Sequence, residues 1–308
     1  MSERSTIGVI GARGHAGAEL VRLIRDHPSL DLVFAGSREL AGKPVPGQVD
    51  VVFESIGPED LAARDMDAVL LALPDDAGDP YLAAIGEETV IVDISADHRF
   101  DDSWQYGLPE LFREKLKGAT RIANPGCYAT TILIALAPLL DVVSGVPAVF
   151  GVSGYSGAGS APGPRNDPDR LADNLMPYKL VGHNHEREAT RHLGLPVRFI
   201  PHVHPAFRGL MVTAHVPLGS ALSPDEIKAR FAGHYDDEPL IEIRDGIPEL
   251  KDGANHPGVI VGGFETSADG LNAVVIAAED NLLKGAAVQA IQNVNLALGL
   301  PEFQGLID

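Results

Sequence analysis

Four short apolar runs in the first hundred residues, Thr6–Ile10, Leu32–Ala35, Ala68–Ala72 and Val90–Ile94, carry no polar alternation, and each meets Gly, Ser or Pro within two residues. A strand with one wet face alternates apolar and polar side chains, whereas an unbroken apolar strand is one covered on both faces, as in a parallel sheet wound with helices. With helical stretches between the runs, the first half predicts a Rossmann-type doubly wound α/β domain. From about Pro147 the texture changes to longer strand-like segments: Val149–Ser153, Val197–Val203, Leu210–Pro217, Leu240–Ile243, Val259–Thr266 and Leu271–Ala278. The last two flank Asp269-Gly270, a good hairpin turn, so a mixed-sheet α+β domain is expected beside the parallel one. Ser223-Pro224-Asp225-Glu226 combines an N-cap, a Pro at the first helical position and a capping-box Glu, which predicts a helix to about Ala232. Asn281 to Leu298 reads as one final helix, and Ser160 to Pro168 as a loop.

The chain has 24 basic and 43 acidic side chains, a formal net charge of −19. A surface this acidic repels phosphate backbones and anionic lipid, so neither nucleic acid nor membrane is an expected partner. One cysteine leaves no intramolecular disulfide and no cysteine-rich zinc site. The longest strongly apolar run, Thr130 to Leu140, is about half of a bilayer span and contains Pro138. Met1 to Thr6 is polar, without the pattern of a signal peptide. The expected location is cytoplasmic.

Thr6–Ile10 leads into Gly11-Ala12-Arg13-Gly14-His15-Ala16-Gly17 and then into a helical stretch. Glycines between strand and helix let the backbone turn tightly and approach a pyrophosphate, with amide N–H groups exposed at a helix N-terminus. A glycine-bearing turn without a ligand is the plain alternative. At the end of the second strand, where a carboxylate would bind the ribose of NAD, the chain offers Ser37-Arg38. A hydroxyl and a guanidinium suit a 2′-phosphate, which favours NADP, unless Arg38 is only a solvated loop charge.

Cys127 stands in Asn124-Pro125-Gly126-Cys127-Tyr128, just before an apolar helical stretch. In the first turn of a helix a thiol feels the partial charge of unpaired N–H groups, which raises its thiolate fraction; a lone cysteine can equally be a small core hydrophobe. The chemistry that joins a thiolate to a nicotinamide is acyl transfer through a thioester with hydride exchange, and it needs a base. His183 and His185 form one H-x-H pair and His202 and His204 a second. If either pair is extended, its imidazoles share one face, which is also how metal hydrolases present ligands. No H-E-x-x-H is present, and no metal is expected.

These segments together resemble the N-acetyl-gamma-glutamyl-phosphate reductase family, within the larger aspartate-semialdehyde dehydrogenase group. Besides the glycine turn and Asn124–Thr130, the matching stretches are Ser95-Ala96-Asp97-His98-Arg99-Phe100, Tyr106–Glu110, Ser153–Gly159, Gly182–Glu188, Pro201–Gly209 and Asp280–Ala287, in family order over nearly the whole chain. The forms Ser-Gly-Tyr-Ser-Gly-Ala-Gly and His-Glu-Arg-Glu look most like fungal bifunctional arginine-pathway enzymes and their bacterial relatives. The resemblance implies NADPH-dependent reduction of an N-acetylglutamyl 5-phosphate to the 5-semialdehyde with release of phosphate. Cys127 would be the nucleophile and the H-x-H segment would supply the base, with His185 favoured and His183 close by. Arg99, Arg208 and Asn124 would bind substrate. Ser156, Gly157 and Asn281 would join Gly11, Arg13, Gly14, His15, Ala16, Gly17, Ser37 and Arg38 at the cofactor. Val288, Asn184 and His204-Pro205-Ala206-Phe207 depart from the usual family residues, the last two near the expected substrate pocket.

The resulting expectation is an NADP-binding domain over 1–126 completed by a C-terminal helix over 284–308, a catalytic domain over 127–283, and a homo-oligomer, dimer or tetramer, acting on a small molecule. The site would lie at the domain junction. Alternatives within the class are an aspartate-semialdehyde dehydrogenase and a reductase of a carrier-linked acyl phosphate; outside it stand a metal-dependent hydrolase using the histidine pairs and a nucleotide-sensing binding protein.

Overall fold

In a computed structural model, which describes residues 4–48 and 50–307, the unbroken apolar runs of the first half become the inner strands of a sheet. Of the polar stretch Met1–Thr6, residues 1–3 lie outside that range. The elements follow as β1 (Ser5–Ile10), α1 (His15–Asp26), β2 (Leu30–Gly36), β3 (Phe53–Glu54), α2 (Pro58–Ala62), β4 (Ala68–Leu71), α3 (Asp79–Leu82), β5 (Val90–Asp93), β6 (Gln105–Tyr106), α4 (Pro109–Leu116) and β7 (Arg121–Ala123). The sheet order is β3-β2-β1-β4-β5-β7-β6 with every pairing parallel. All of β4 and β5 and the last four residues of β1 are buried, which is why those runs show no alternation. A C-terminal helix (Val288–Ala297) packs on α1, α4 and β5 and is buried along its whole length. Its polar side chains are used internally: the Asn293 amide donates to the Gly107 carbonyl at 2.9 Å and to Asn124 Oδ1 at 3.1 Å.

The second half carries α5 (Cys127–Leu136), β8 (Ala148–Gly154), α6 (Pro168–Leu171), β9 (Met176–Pro177), α7 (Asn184–Leu193), β10 (Arg198–His204), β11 (Leu210–Pro217), α8 (Pro224–His234), β12 (Ile241–Ile243), α9 (Leu250–Gly253), β13 (Val259–Thr266) and β14 (Asn272–Glu279). Its sheet runs β12-β13-β14-β11-β8-β10-β9 and is mixed: β8 and β10 are parallel, while β11 is antiparallel to both β8 and β14. The β13–β14 hairpin turns at Asp269-Gly270, where Gly270 has φ +70°. The Ser223 capping box closes on Glu226 as expected, and α8 extends two residues past Ala232. Helix α5 packs on β11 and β14, α8 on β13, and α7 on α5. The chain divides into two compact units, one made of the residues through Pro125 together with those from Ala286 onward, the other of Gly126–Gly285.

The final stretch departs from the single helix expected over Asn281 to Leu298. Leu283–Ala287 is a π-turn, and the regular helix begins only at Val288. Asp280 organises the turn: its side chain accepts from the Leu282 N–H at 2.8 Å, and its carbonyl accepts from the N–H groups of Leu283 at 3.1 Å and Gly285 at 3.0 Å. The Gly285 bond spans five residues, the spacing of a π-turn.

Candidate active site

In the parallel unit the glycine turn is built by sterics. Gly11 has φ +84°, and a Cβ on it would lie 2.1 Å from the Ala72 carbonyl oxygen; one on Gly17 would lie 2.2 Å from the Gly11 carbonyl oxygen. These two glycines allow α1 to start hard against the end of β1. Gly14 is the N-cap, with no side-chain cap and no acid in the first turn, so the N-terminus presents its N–H groups and dipole to an anion. The N–H groups of Gly11 and Ala12 both bond the Gly36 carbonyl, at 3.1 and 3.0 Å, which sets Ser37 and Arg38 beside the turn. Arg38 is exposed, and the nearby carboxylate of Glu39 pairs with Arg13 at 3.1 Å. Arg13, His15 and Ala16 remain on or near the surface. These residues fit a dinucleotide bearing an extra phosphate.

In the second unit Cys127 is the first residue of α5, after Gly126 as N-cap, and is partly accessible. That helix start too has no side-chain cap and no acid in its first turn. Tyr128 fixes the helix end. Its ring packs 4.8 Å from that of Phe199, its hydroxyl donates to the His202 carbonyl at 2.8 Å, and Gly151 makes room, since a Cβ there would lie 2.5 Å from the ring.

The first H-x-H pair is not extended. Gly182, at φ +67°, turns the chain into α7, with His183 as N-cap and His185 in the first turn. His183 Nδ1 accepts the His185 N–H at 3.1 Å. Burial, then the neighbouring His185 and Lys179, lowers the His183 pKa to about 3, which keeps it neutral and able to accept. The His185 ring stands 4.6 Å from that of His183, and its Nε2 lies 4.0 Å from Oε1 of Glu188, a fully buried carboxylate one turn along. The other oxygen of Glu188 accepts the Gly126 N–H at 3.0 Å. Thus α7 brings an imidazole and a carboxylate to the start of α5. The second pair lies elsewhere: His202 packs 4.3 Å from Phe150 on the sheet face, and His204 Nδ1 accepts the Ala206 N–H at 3.0 Å. Among the described residues no group of three or more His, Cys, Asp or Glu is placed to hold a metal ion.

The remaining expected residues fall into two sets. Arg208 lies 3.3 Å from buried Asp280 and donates to Asn255 Oδ1 at 2.9 Å. Asn281 is buried, accepting the Gly209 N–H at 3.0 Å and donating to Ser156 Oγ at 2.8 Å, so it joins the Arg208 loop to the Tyr155–Ala158 turn that contains Gly157. In the parallel unit, buried Arg99 donates to the carbonyls of Asn124 and Ile94 at 2.9 and 2.8 Å, and so braces the segment that leads to Pro125. Asn124 is completely buried, its amide bonded to Ala286 and Asn293. It supports that segment rather than offering a donor at an open surface.

Two residues not singled out from sequence stand at the start of α5. One is Glu188, for which the signal was its spacing of three from His185 on a helical segment. The other is Gly285: a Cβ there would lie 2.7 Å from Cys127 Cβ and 2.8 Å from Glu279 Oε1. Its contact is set by the fold and has no local signature.

Residues 127–281 match the family described as semialdehyde dehydrogenase, dimerisation domain, and residues 6–119 match semialdehyde dehydrogenase, NAD binding domain. The chain is 49% identical over 312 residues to the N-acetyl-gamma-glutamyl-phosphate reductase of Xanthomonas oryzae pv. oryzae, covering 99% of each chain. It is 48% identical to that of Stenotrophomonas maltophilia, covering 98% of each. Among solved structures, aspartate semialdehyde dehydrogenase II from Vibrio cholerae, complexed with ASA, superposes with a TM-score of 0.80 at 19% identity, over 97% of this chain and 99% of that one. The Candida albicans aspartate semialdehyde dehydrogenase with NADP gives 0.77 at 18%, over 96% and 99%. At these identities the structures show a shared fold.

Proposed function

The chain belongs to the N-acetyl-gamma-glutamyl-phosphate reductase family, and on that premise we propose that Cys127 accepts the acyl group of N-acetyl-L-glutamyl 5-phosphate as a thioester, which is reduced to the 5-semialdehyde in arginine biosynthesis. The enzyme is an NADP-dependent oxidoreductase. The observation that carries the assignment of roles is Cys127 on an uncapped helix start, with His185 and buried Glu188 brought to that start by α7.

His185 takes the thiol proton as sulfur attacks C5. The sulfur–carbon bond forms, the carbon–oxygen bond to phosphate breaks, and the proton passes to the departing phosphate. NADPH, when bound, supplies the hydride that reduces the thioester. Collapse of the resulting oxyanion releases the aldehyde and expels the Cys127 thiolate, which takes up a proton from solvent through His185. Glu188, 4.0 Å from Nε2, orients the His185 ring. His183 acts as a neutral cap. Arg208, steadied by Asp280, holds the substrate's phosphate, and Arg99 braces the backbone of Ile94 and Asn124. The α1 start with Gly11, Gly14 and Gly17 holds the pyrophosphate, and Ser37 with Arg38 the 2′-phosphate. Asn281, bonded to Ser156, shapes the loop that carries Gly157 toward the cofactor.

The homo-oligomer is a dimer built on the open face of the mixed sheet, where the cross-strand neighbours Phe150 and Ile200 are 39% and 47% exposed; an apolar sheet face of this kind suits a second copy, and sedimentation velocity should give twice the monomer mass. No helix among the described residues is long and apolar enough to cross a membrane, and a cytoplasmic location suits the free thiol. The test of the function is a panel run in the phosphate-dependent oxidative direction. N-acetylglutamate semialdehyde with NADP should be turned over at least 100-fold more efficiently than aspartate semialdehyde, and NADP should surpass NAD. Preference for aspartate semialdehyde would overturn the substrate assignment.

A further inference from the structure

The substrate carries a carboxylate that takes no part in the chemistry, and a chain of net charge −19 needs a local cation to bind it. Arg208 is already countered by Asp280. The loop between Ser160 and Pro168 carries another guanidinium, on Arg165. This loop is built rather than slack. Asn166 donates to the carbonyls of Gly159 and Ala161 at 3.0 and 2.8 Å and accepts the Gly163 N–H at 2.7 Å, and Asp167 caps α6 by accepting the Asp169 N–H at 3.0 Å. Arg165 stands next to that clamp.

Its guanidinium carbon lies 4.8 Å from the centroid of the Tyr178 ring. Tyr178 in turn packs edge-on to His183 at 5.5 Å, and its N–H bonds the Pro201 carbonyl at 3.2 Å. Burial first, then the charge of Cys127, pushes the Tyr178 phenol up, while Arg165 opposes this; the ring thus lies within electrostatic reach of both groups. Lys179 follows with φ +40°, in the left-handed region unusual for a residue with a side chain, and its ammonium donates to Asn184 Oδ1 at 3.2 Å. Among the described residues no carboxylate pairs with Arg165. Arg165 also hydrogen-bonds the Tyr178 side chain, which fixes the guanidinium on the ring; with five N–H donors it has others left for a carboxylate.

We propose that Arg165, shelved on Tyr178 by the clamped loop, is a specificity-determining residue that grips the substrate's α-carboxylate. The inference rests on the reductase reading above and deepens it. The test compares wild type, Arg165→Met and Arg165→Lys on two aldehydes, N-acetylglutamate semialdehyde and its decarboxylated analogue 4-acetamidobutanal, with NADP and inorganic phosphate. For the acid substrate, Arg165→Met should raise KM about 10–100-fold with kcat within about threefold, and Arg165→Lys should recover part of the loss. For the decarboxylated aldehyde the three enzymes should have equal kcat/KM, and the KM values for phosphate and NADP should not move. Equal losses on both aldehydes, a raised KM for phosphate, or no effect on either would overturn the proposal while wild-type turnover stands. A wild type inert toward both aldehydes would overturn it by removing the reductase reading itself.

Discussion

The carboxylate of Glu188 accepts the backbone N–H of Gly126 at 3.0 Å, so a buried acid on α7 is fastened to the residue that precedes the thiol. The same carboxylate faces His185 at 4.0 Å. One side chain therefore sets both the start of α5 and the field at the proposed base. Glu188→Gln keeps an acceptor for Gly126 and removes the charge. Its kcat should fall about tenfold or more, because the ring of the proposed base loses the charge that orients it. Glu188→Ala should in addition lower stability by about 1–3 kcal/mol, since a buried N–H loses its partner; steady-state kinetics and urea unfolding separate the two effects.

The two histidines of the H-x-H pair should differ sharply. His185→Asn should reduce kcat by about 10²–10⁴. His183→Asn, which retains a capping acceptor, should keep more than about a tenth of wild-type activity. Activity lost equally in both variants would contradict the division of roles.

His183 should also leave a signature in acid stability. Its folded pKa of about 3 lies below the ordinary 6.5, so between these values the unfolded chain binds a proton that the folded chain does not. The stabilisation is present above pH 6.5 and is lost as pH falls toward 3, with a slope that approaches about 1.4 kcal/mol per pH unit from this side chain. The unfolding midpoint of His183→Asn should vary less between pH 7 and 4 than that of wild type; an identical pH dependence would refute the assignment.

Gly285→Ala should be one of the most damaging small substitutions. The added methyl would meet Cys127 Cβ at 2.7 Å and Glu279 Oε1 at 2.8 Å, so either the nucleophile or the buried acid must shift. Stability should fall by about 1–3 kcal/mol and kcat by about 100-fold, as expected of a displacement near 1 Å at a reacting group. A variant with unchanged kcat would show that the sulfur tolerates that movement.

Where a strand is long enough to show its burial pattern, residue pattern and structure agree. Leu210–Pro217 and Val259–Thr266 are strands over those very residues, because packing on the mixed sheet is what their patterns encode. The strands Phe53–Glu54, Gln105–Tyr106 and Met176–Pro177 have two residues each and no period to read; their neighbours in the sheet define them. Asn281 to Leu298 shows unbroken helical character, yet the π-turn depends on Asp280 as a cap and on Gly285 against Cys127, both contacts between segments distant in sequence or turned back on themselves. The H-x-H pair was legible as chemistry and illegible as geometry. Two imidazoles on one extended face and an imidazole cap preceding a helical imidazole share the same spelling, and only the left-handed Gly182 and the packing of α7 on α5 distinguish them. The role of Glu188 needed that packing as well.

The central claim is that Cys127 carries the acyl group. Rapid quench of the enzyme with N-acetylglutamyl phosphate in the absence of NADPH, followed by peptide mass spectrometry, tests it directly. The account predicts one N-acetylglutamyl group on the peptide containing Cys127, labile to hydroxylamine and absent in Cys127→Ser. Turnover at the wild-type rate by Cys127→Ser, or an acyl group carried on any other residue, would contradict it.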